Sequence, residues 1–130
     1  MKEGTIKLLV LGGLLMVLAL ALHQCYRHFR GIEVCVHNVG TQTLRSSKVV
    51  VTSSISTRAY AVGDLPRDDT TCVWVKADSE ASVDFRFTAP SGVSKATPLN
   101  GYIEPGYSGW ISADVTVDGA RAIEQKFDSF

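Results

Sequence analysis

The chain has 130 residues, with 13 basic and 13 acidic side chains, so its formal net charge is zero. Residues 1–30 carry four basic side chains and one acidic one, whereas residues 31–130 carry nine basic and twelve acidic ones. A mildly acidic body lacks the clustered positive charge that nucleic acids require, so we expect no nucleic-acid partner. Beyond the apolar N-terminus, the length allows one compact domain.

An apolar segment from Ile6 to Leu22, with Lys7 as its one charged residue, predicts a transmembrane helix of about residues 6–25. The segment is at the short end of the length that crosses a bilayer, and Lys7 can direct its amine to the interface. We therefore assign residues 1–30 as an N-terminal membrane anchor that contacts the lipid bilayer through Ile6 to Leu22. Residues 31–130 form the predicted extracytoplasmic domain.

Three processing routes compete for this segment. A secretory signal peptide would be cleaved after Ala19-Leu20-Ala21, and a lipoprotein would be modified on Cys25. We favour an uncleaved single-pass signal anchor, because the apolar run continues through Leu22 and His23-Gln24 replaces the small residue that precedes a lipoprotein cysteine. In this interpretation the interfacial and polar stop residues are Tyr26, Arg27, His28 and Arg30.

Basic residues flank both sides of the segment, so charge alone does not orient it in the membrane. The β-rich, turn-rich body favours a location outside the cytoplasm. We therefore expect a bacterial inner-membrane protein with its body in the periplasm.

After Gly31 the sequence alternates between apolar and polar residues, a pattern typical of short antiparallel strands. The clearest example is Ala81 to Ala89, while Val49, Val50 and Val51 in succession predict burial on both faces. The predicted strands are residues 32–38, 48–52, 58–62, 71–76, 81–89, 93–97, 109–117 and 121–127, with a loop at residues 100–107 and a tight turn at Asp118-Gly119. Seven to eight strands indicate an all-β, two-sheet antiparallel sandwich behind the helix.

Part of the body resembles bacterial immunoglobulin-like adhesion and spacer modules. The resemblance is carried by Val34-x-Val36-x-Asn38-Val39-Gly40-Thr41, by Val49 to Thr52, and by Val62-Gly63-Asp64-Leu65-Pro66 leading into Thr71 to Val75. It departs from the modules after the Leu-Pro turn, where Arg67 and Asp68 replace the usual glycine. The resemblance implies an immunoglobulin-like sandwich without catalytic activity.

Three cysteines permit at most one intrachain disulfide. Cys35 and Cys72 share the polar phase of their predicted strands, so they are able to form a bridge if the strands are neighbours or face one another. Such a bridge would stabilise the domain by roughly 3–4 kcal/mol. Two separate half-buried thiols are the alternative.

Candidate metal sites are few. Asp64, Asp68 and Asp69 lie in one loop and are candidates for calcium ligands, with turn and capping roles as the alternative. Cys35 and His37 share one strand face, but solvated polar positions are the favoured explanation. We expect no cofactor.

The sequence contains no Gly-x-Ser-x-Gly and no phosphate-binding glycine motif, and all three histidines lie within the first 37 residues. We therefore expect a protein that is not an enzyme. Four aromatic residues are candidates for a binding surface, or alternatively for filling the core: Trp74, Tyr102, Tyr107 and Trp110.

These patterns favour a membrane-anchored, non-catalytic binding or scaffolding domain that contacts a partner protein of the cell envelope. A periplasmic ligand- or metal-binding accessory protein is the first alternative. A small hydrolase is the second.

Overall fold

The computed structural model describes residues 2–128, except for the side chains of residues 27–29. Helix α1 spans Glu3–Arg30 and ends at Gly31, which has a φ of 85°. It is longer than the predicted residues 6–25 because no helix breaker occurs before Gly31, and a glycine with positive φ is a common helix terminator. The side chains of Arg27 and His28, part of the predicted polar stop, lie outside the described residues. Residues 129–130 of the predicted domain lie outside them as well.

One long apolar helix is confirmed: Glu3–Tyr26 is long and apolar enough to cross a membrane, and none of it is buried against the rest of the chain. A cleaved signal sequence meets the same criteria, so its retention as an anchor stays a prediction.

Eight strands follow α1 in the described part of the chain and form two four-stranded sheets. Sheet A has the order β4-β1-β7-β8, and sheet B has the order β3-β2-β5-β6. The strands are β1 Ile32–Asn38, β2 Leu44–Ser53, β3 Thr57–Leu65, β4 Thr70–Val75, β5 Ala81–Thr88, β6 Ser94–Ile103, β7 Ser108–Thr116 and β8 Gly119–Asp128.

The predicted two-sheet architecture is confirmed, with one parallel contact among the described strands. Strand β1 pairs antiparallel with β4 and parallel with β7, and the remaining pairs are antiparallel. A constant-type immunoglobulin domain instead places its first, second, fourth and fifth strands in one sheet. The structure thus shows the two-sheet architecture with a strand order that differs from that of a constant-type immunoglobulin domain, and a looser immunoglobulin-like relationship stays a prediction.

The core lies between the two sheets and follows directly from the period-two pattern. Sheet A contributes the apolar face of β1, in which buried and partly buried residues alternate along the whole strand. Sheet B contributes the apolar face of β5, which alternates in the same way. Val50 is buried as well, although it alternates with the core residues Val49 and Val51, as the run of three valines predicts. The largest completely buried side chains are Phe85, Ile32, Leu44, Leu65, Ile103 and Ile111.

Two glycine-containing segments that we predicted to end or interrupt strands lie inside strands instead. Strand β3 continues through Gly63 to Leu65, which pairs with Leu44 beyond a register shift in β2. Strand β6 continues through Asn100-Gly101 to Ile103, next to a second register shift. In both cases a buried side chain beyond the irregularity, Leu65 or Ile103, anchors the strand, so the segment is a bulge and not a turn.

Candidate functional site

The two ends of the sandwich differ in their position relative to α1. Ile32 begins β1 directly after Gly31 and pairs with Val75 at the end of β4 and with Gly109 in β7. The end of the sandwich nearest the helix, called the proximal end, therefore carries the loops at residues 54–56, 76–80 and 104–107. The opposite, distal end carries the loops at residues 39–43, 66–69, 89–93 and 117–118.

Trp74 and Trp110 occupy the outer face of sheet A near the proximal end. Both are register partners of Glu33, one strand away on either side, so their Cα atoms are about 10 Å apart. Each tryptophan is 39% exposed. The guanidinium of Arg30, at the end of α1, lies 5.3 Å from the centre of the Trp74 ring.

The two predicted tyrosines lie elsewhere. Tyr107 packs against the core margin, with its ring centroid 5.9 Å from that of Phe127. Tyr102 lies on β6 in sheet B, where its hydroxyl approaches Glu80 at 3.2 Å and hydrogen-bonds Glu104. The hydrogen bond to Glu104, followed by desolvation and the charges of both carboxylates, raises the pKa of Tyr102 above its ordinary value. The structure thus brings together the two tryptophans but not all four aromatic residues.

Cys35 and Cys72 are direct cross-strand partners in β1 and β4, and their sulfur atoms are bonded at 2.07 Å. These are the two cysteines for which the sequence allowed either a bridge or two separate thiols. Glu33 lies beside the bridge, with a carboxylate oxygen 3.7 Å from Cys35 Sγ. Cys25 is exposed on α1 and unbonded.

The candidate metal ligands are distributed differently from the sequence prediction. Among the described residues, the only three donor atoms of His, Cys, Asp or Glu gathered within 4.8 Å of one another belong to Glu33, Cys35 and Cys72. The predicted calcium candidates Asp64, Asp68 and Asp69 do not form such a group. The Asp64 carboxylate instead accepts a hydrogen bond from Ser46 N at 3.0 Å. The Asp68 carboxylate lies 3.4 Å from the guanidinium of Arg67. The backbone oxygen of Asp69 accepts a hydrogen bond from Asn38 N at 3.0 Å.

Asn38 organises the distal end, and it is completely buried. Its Nδ2 donates to the carbonyls of Leu65 at 2.9 Å and Gln42 at 2.8 Å, and its Oδ1 accepts from Gly40 N at 2.9 Å. Its backbone carbonyl also accepts from Asp68 N at 2.9 Å. One side chain therefore connects the end of β1, the β1–β2 loop and the end of β3.

Sequence reasoning missed this role because an asparagine before Val39-Gly40 is ordinary turn chemistry. The position of Asn38 in the alternating pattern could have indicated the role. Asn38 follows Val34 and Val36 on the buried face of β1, and a buried polar side chain needs hydrogen-bond partners inside the protein.

The distal loops border an open groove of about 440 Å³ between the β1–β2 loop and the β7–β8 turn. Val39 forms one wall and is 43% exposed, while Asp118 and Arg121 line the groove with opposite charges. Val93, in the β5–β6 turn at the same end, is 55% exposed. Lys95 joins these loops, because its Nζ donates to Val117 O at 2.8 Å.

No protein-family model matches the chain, and comparisons with curated proteins and with solved structures found no significant match.

Proposed function

We propose that the protein is a membrane-anchored, non-catalytic binding or scaffolding domain that contacts a partner protein of the cell envelope through its distal loops. The observation that carries this proposal is the hydrogen-bond network of Asn38, which fixes the β1–β2 and β3–β4 loops at the end opposite the helix. Loops held by a rigid scaffold are common binding elements.

Preorganisation and composition support this surface. Fixing loops before binding lowers the conformational entropy lost on association. Val39 and Val93 supply exposed apolar area at this end, and the charged side chains of Asp118 and Arg121 line the groove beside Val39. An apolar centre with a polar rim is the usual anatomy of a protein interface.

The apolar helix and the disulfide support the proposed compartment. An uncleaved α1 would hold the sandwich at the membrane surface, and the Cys35–Cys72 bond favours an oxidising compartment over the cytosol. Both features support a single-pass bacterial inner-membrane protein with its body in the periplasm. The immunoglobulin-like modules that the β1 to β4 region resembles are likewise non-catalytic.

We expect the double substitution Val39→Asp and Val93→Asp to reduce capture of the partner by at least about tenfold, equivalent to about 1.4 kcal/mol of binding free energy. In the complex, the new charges at the apolar centre would lose water without gaining an opposite charge or a hydrogen bond. In the free domain both side chains are exposed, so the fold should tolerate the change. The measurement is crosslinking in intact membranes, followed by quantification of the crosslinked product.

Ile55→Asp is the matched control, because Ile55 is an exposed aliphatic residue in a proximal loop. Capture should survive in this variant. Equal capture by the distal double variant and the parent, with both proteins folded, would rule out the distal loops as the contact surface.

A periplasmic metal-binding accessory protein remains the second candidate, favoured by the grouping of Glu33, Cys35 and Cys72. Cysteine binds metals as a thiolate, so the site would exist only after reduction of the disulfide. Metal analysis of the reduced protein should then find stoichiometric metal that is lost in Glu33→Gln. Absence of bound metal in the reduced parent would eliminate this candidate.

A further inference from the structure

The junction between α1 and the sandwich contains a single residue. Gly31 separates Arg30, the last helical residue, from Ile32, the first residue of β1. It is buried, and a Cβ at this position would lie 2.2 Å from the carbonyl oxygen of Val75. This close fit leaves no flexible linker, so the position of the helix determines the position of the sandwich.

Helix geometry sets the depth of this junction. A hydrocarbon core of about 30 Å requires about 20 helical residues, so a span that begins at Ile6 reaches Cys25. Arg30 is five residues further on, about 7.5 Å along the helix axis at 1.5 Å per residue. The headgroup region extends about 5–8 Å beyond the hydrocarbon on each side. Arg30 therefore lies at the level of the headgroups.

Contacts of Arg30 bring Trp74 to the same level. The guanidinium lies 4.3 Å from the centre of the Tyr26 ring and 5.3 Å from that of Trp74, and it hydrogen-bonds the Tyr26 hydroxyl. Trp110 belongs to the same cross-strand row, on the other side of Glu33. Tryptophan and tyrosine are enriched at this depth because their rings have both apolar and polar parts.

We propose that Trp74 and Trp110 lie in the headgroup layer of the membrane that α1 crosses and hold the proximal part of sheet A against the bilayer. This inference rests on the proposed anchoring by α1. In the row that contains the tryptophans the charges of Glu33 and Lys126 cancel, and Arg30 of α1 adds a single positive charge beside Trp74. Attachment therefore depends on the aromatic rings and does not require anionic lipid.

The chain contains only these two tryptophans, which makes them internal probes of depth. Trp110→Phe and Trp74→Phe each leave one tryptophan in the full-length protein, reconstituted in phosphatidylcholine vesicles. Nitroxide-labelled lipids quench fluorescence either at the headgroup or deep in the acyl chains. We expect the headgroup quencher to be about twofold more effective than the deep quencher at both positions, because the rings would lie at headgroup depth.

A matched variant carries a flexible Gly/Ser insert of about ten residues between Arg30 and Gly31, which allows a separation of roughly 17 Å. Headgroup quenching should fall in this variant while the protein stays in the membrane after alkaline extraction. If the parent resists extraction but its tryptophans are quenched by aqueous iodide and not by the labelled lipids, the inference is wrong and the anchor is retained. Release of the parent by extraction would overturn both. Shielding found in native membranes but not in pure lipid would assign the face to a protein and overturn the lipid contact.

Discussion

Asn38→Leu is expected to lower the free energy of unfolding by about 4 kcal/mol. Leucine has the same number and branching of side-chain heavy atoms as asparagine, with bulkier methyl groups, but it cannot hydrogen-bond. The carbonyls of Leu65 and Gln42 and the Gly40 amide therefore lose their partner. Each net hydrogen bond contributes about 1 kcal/mol, and a polar group left buried without a partner costs a further 1–3 kcal/mol or so. Asn38 is completely buried, so water does not readily replace the amide.

The measurement is urea unfolding of the full-length protein in a mild detergent, followed by the fluorescence of Trp74 and Trp110. Tyr60→Phe is the matched control, because the Tyr60 hydroxyl accepts a hydrogen bond from Lys76 N at 3.1 Å in an exposed setting. We expect the control to lose about 1 kcal/mol or less. Similar losses in the two variants would contradict the central role of Asn38.

Asn38→Asp tests the polarity of the same site. A carboxylate would face the carbonyl oxygens of Leu65 and Gln42, where the native amide donates two hydrogen bonds. The neutral acid is preferred there, so the folded-state pKa of the new carboxyl group should exceed its unfolded value of about 3.9. The variant should therefore lose stability as the pH rises through the folded-state pKa and recover part of it at acid pH. A pH-independent difference from the parent would contradict this electrostatic account.

Local patterns predicted much of the fold because strands leave a period-two signature. The alternation of Ala81 to Ala89 located β5 within one residue, and the pattern at Ile32 to Asn38 located β1 with both ends correct. Turn chemistry was less informative: Gly63 and Gly101 indicated breaks, but the buried Leu65 and Ile103 extend the strands past them. Burial of a side chain beyond the glycine outweighed the local preference.

Long-range pairing was not predictable from these patterns. The parallel contact of β1 with β7 joins segments far apart in the chain, and nothing in either strand specifies the other as its neighbour. The same limit applies to the site. The alternating pattern indicated that Cys35 and Cys72 both lie on the polar face of their strands, but only the β1–β4 register makes them partners. Likewise, Tyr107 is half-buried because Phe127 of β8 packs against it.

Loss of the disulfide is the second large effect that we expect. Cys35 and Cys72 are 37 residues apart, and for a loop of this size the chain-entropy relation gives a stabilisation of about 4 kcal/mol. β1 and β4 already pair along their length, so the bond acts mainly by restricting the unfolded chain. Cys35→Ser with Cys72→Ser should therefore lower the urea midpoint without rearranging sheet A. A Cys25→Ser background excludes bonds made by the exposed helix thiol.

Reduction of the same parent gives an independent measurement of the bond. Urea unfolding in excess dithiothreitol should reproduce the midpoint of the double serine variant, since both remove the same cross-link from the unfolded state. Equal midpoints for the oxidised and reduced parent would show that the bond does not stabilise the domain.

In cells, alkylation of free thiols before denaturation should leave Cys35 and Cys72 unmodified if the sandwich lies in an oxidising compartment. Their modification in the intact cell would place the sandwich on the reducing side, and would contradict the periplasmic orientation while leaving α1 as an anchor.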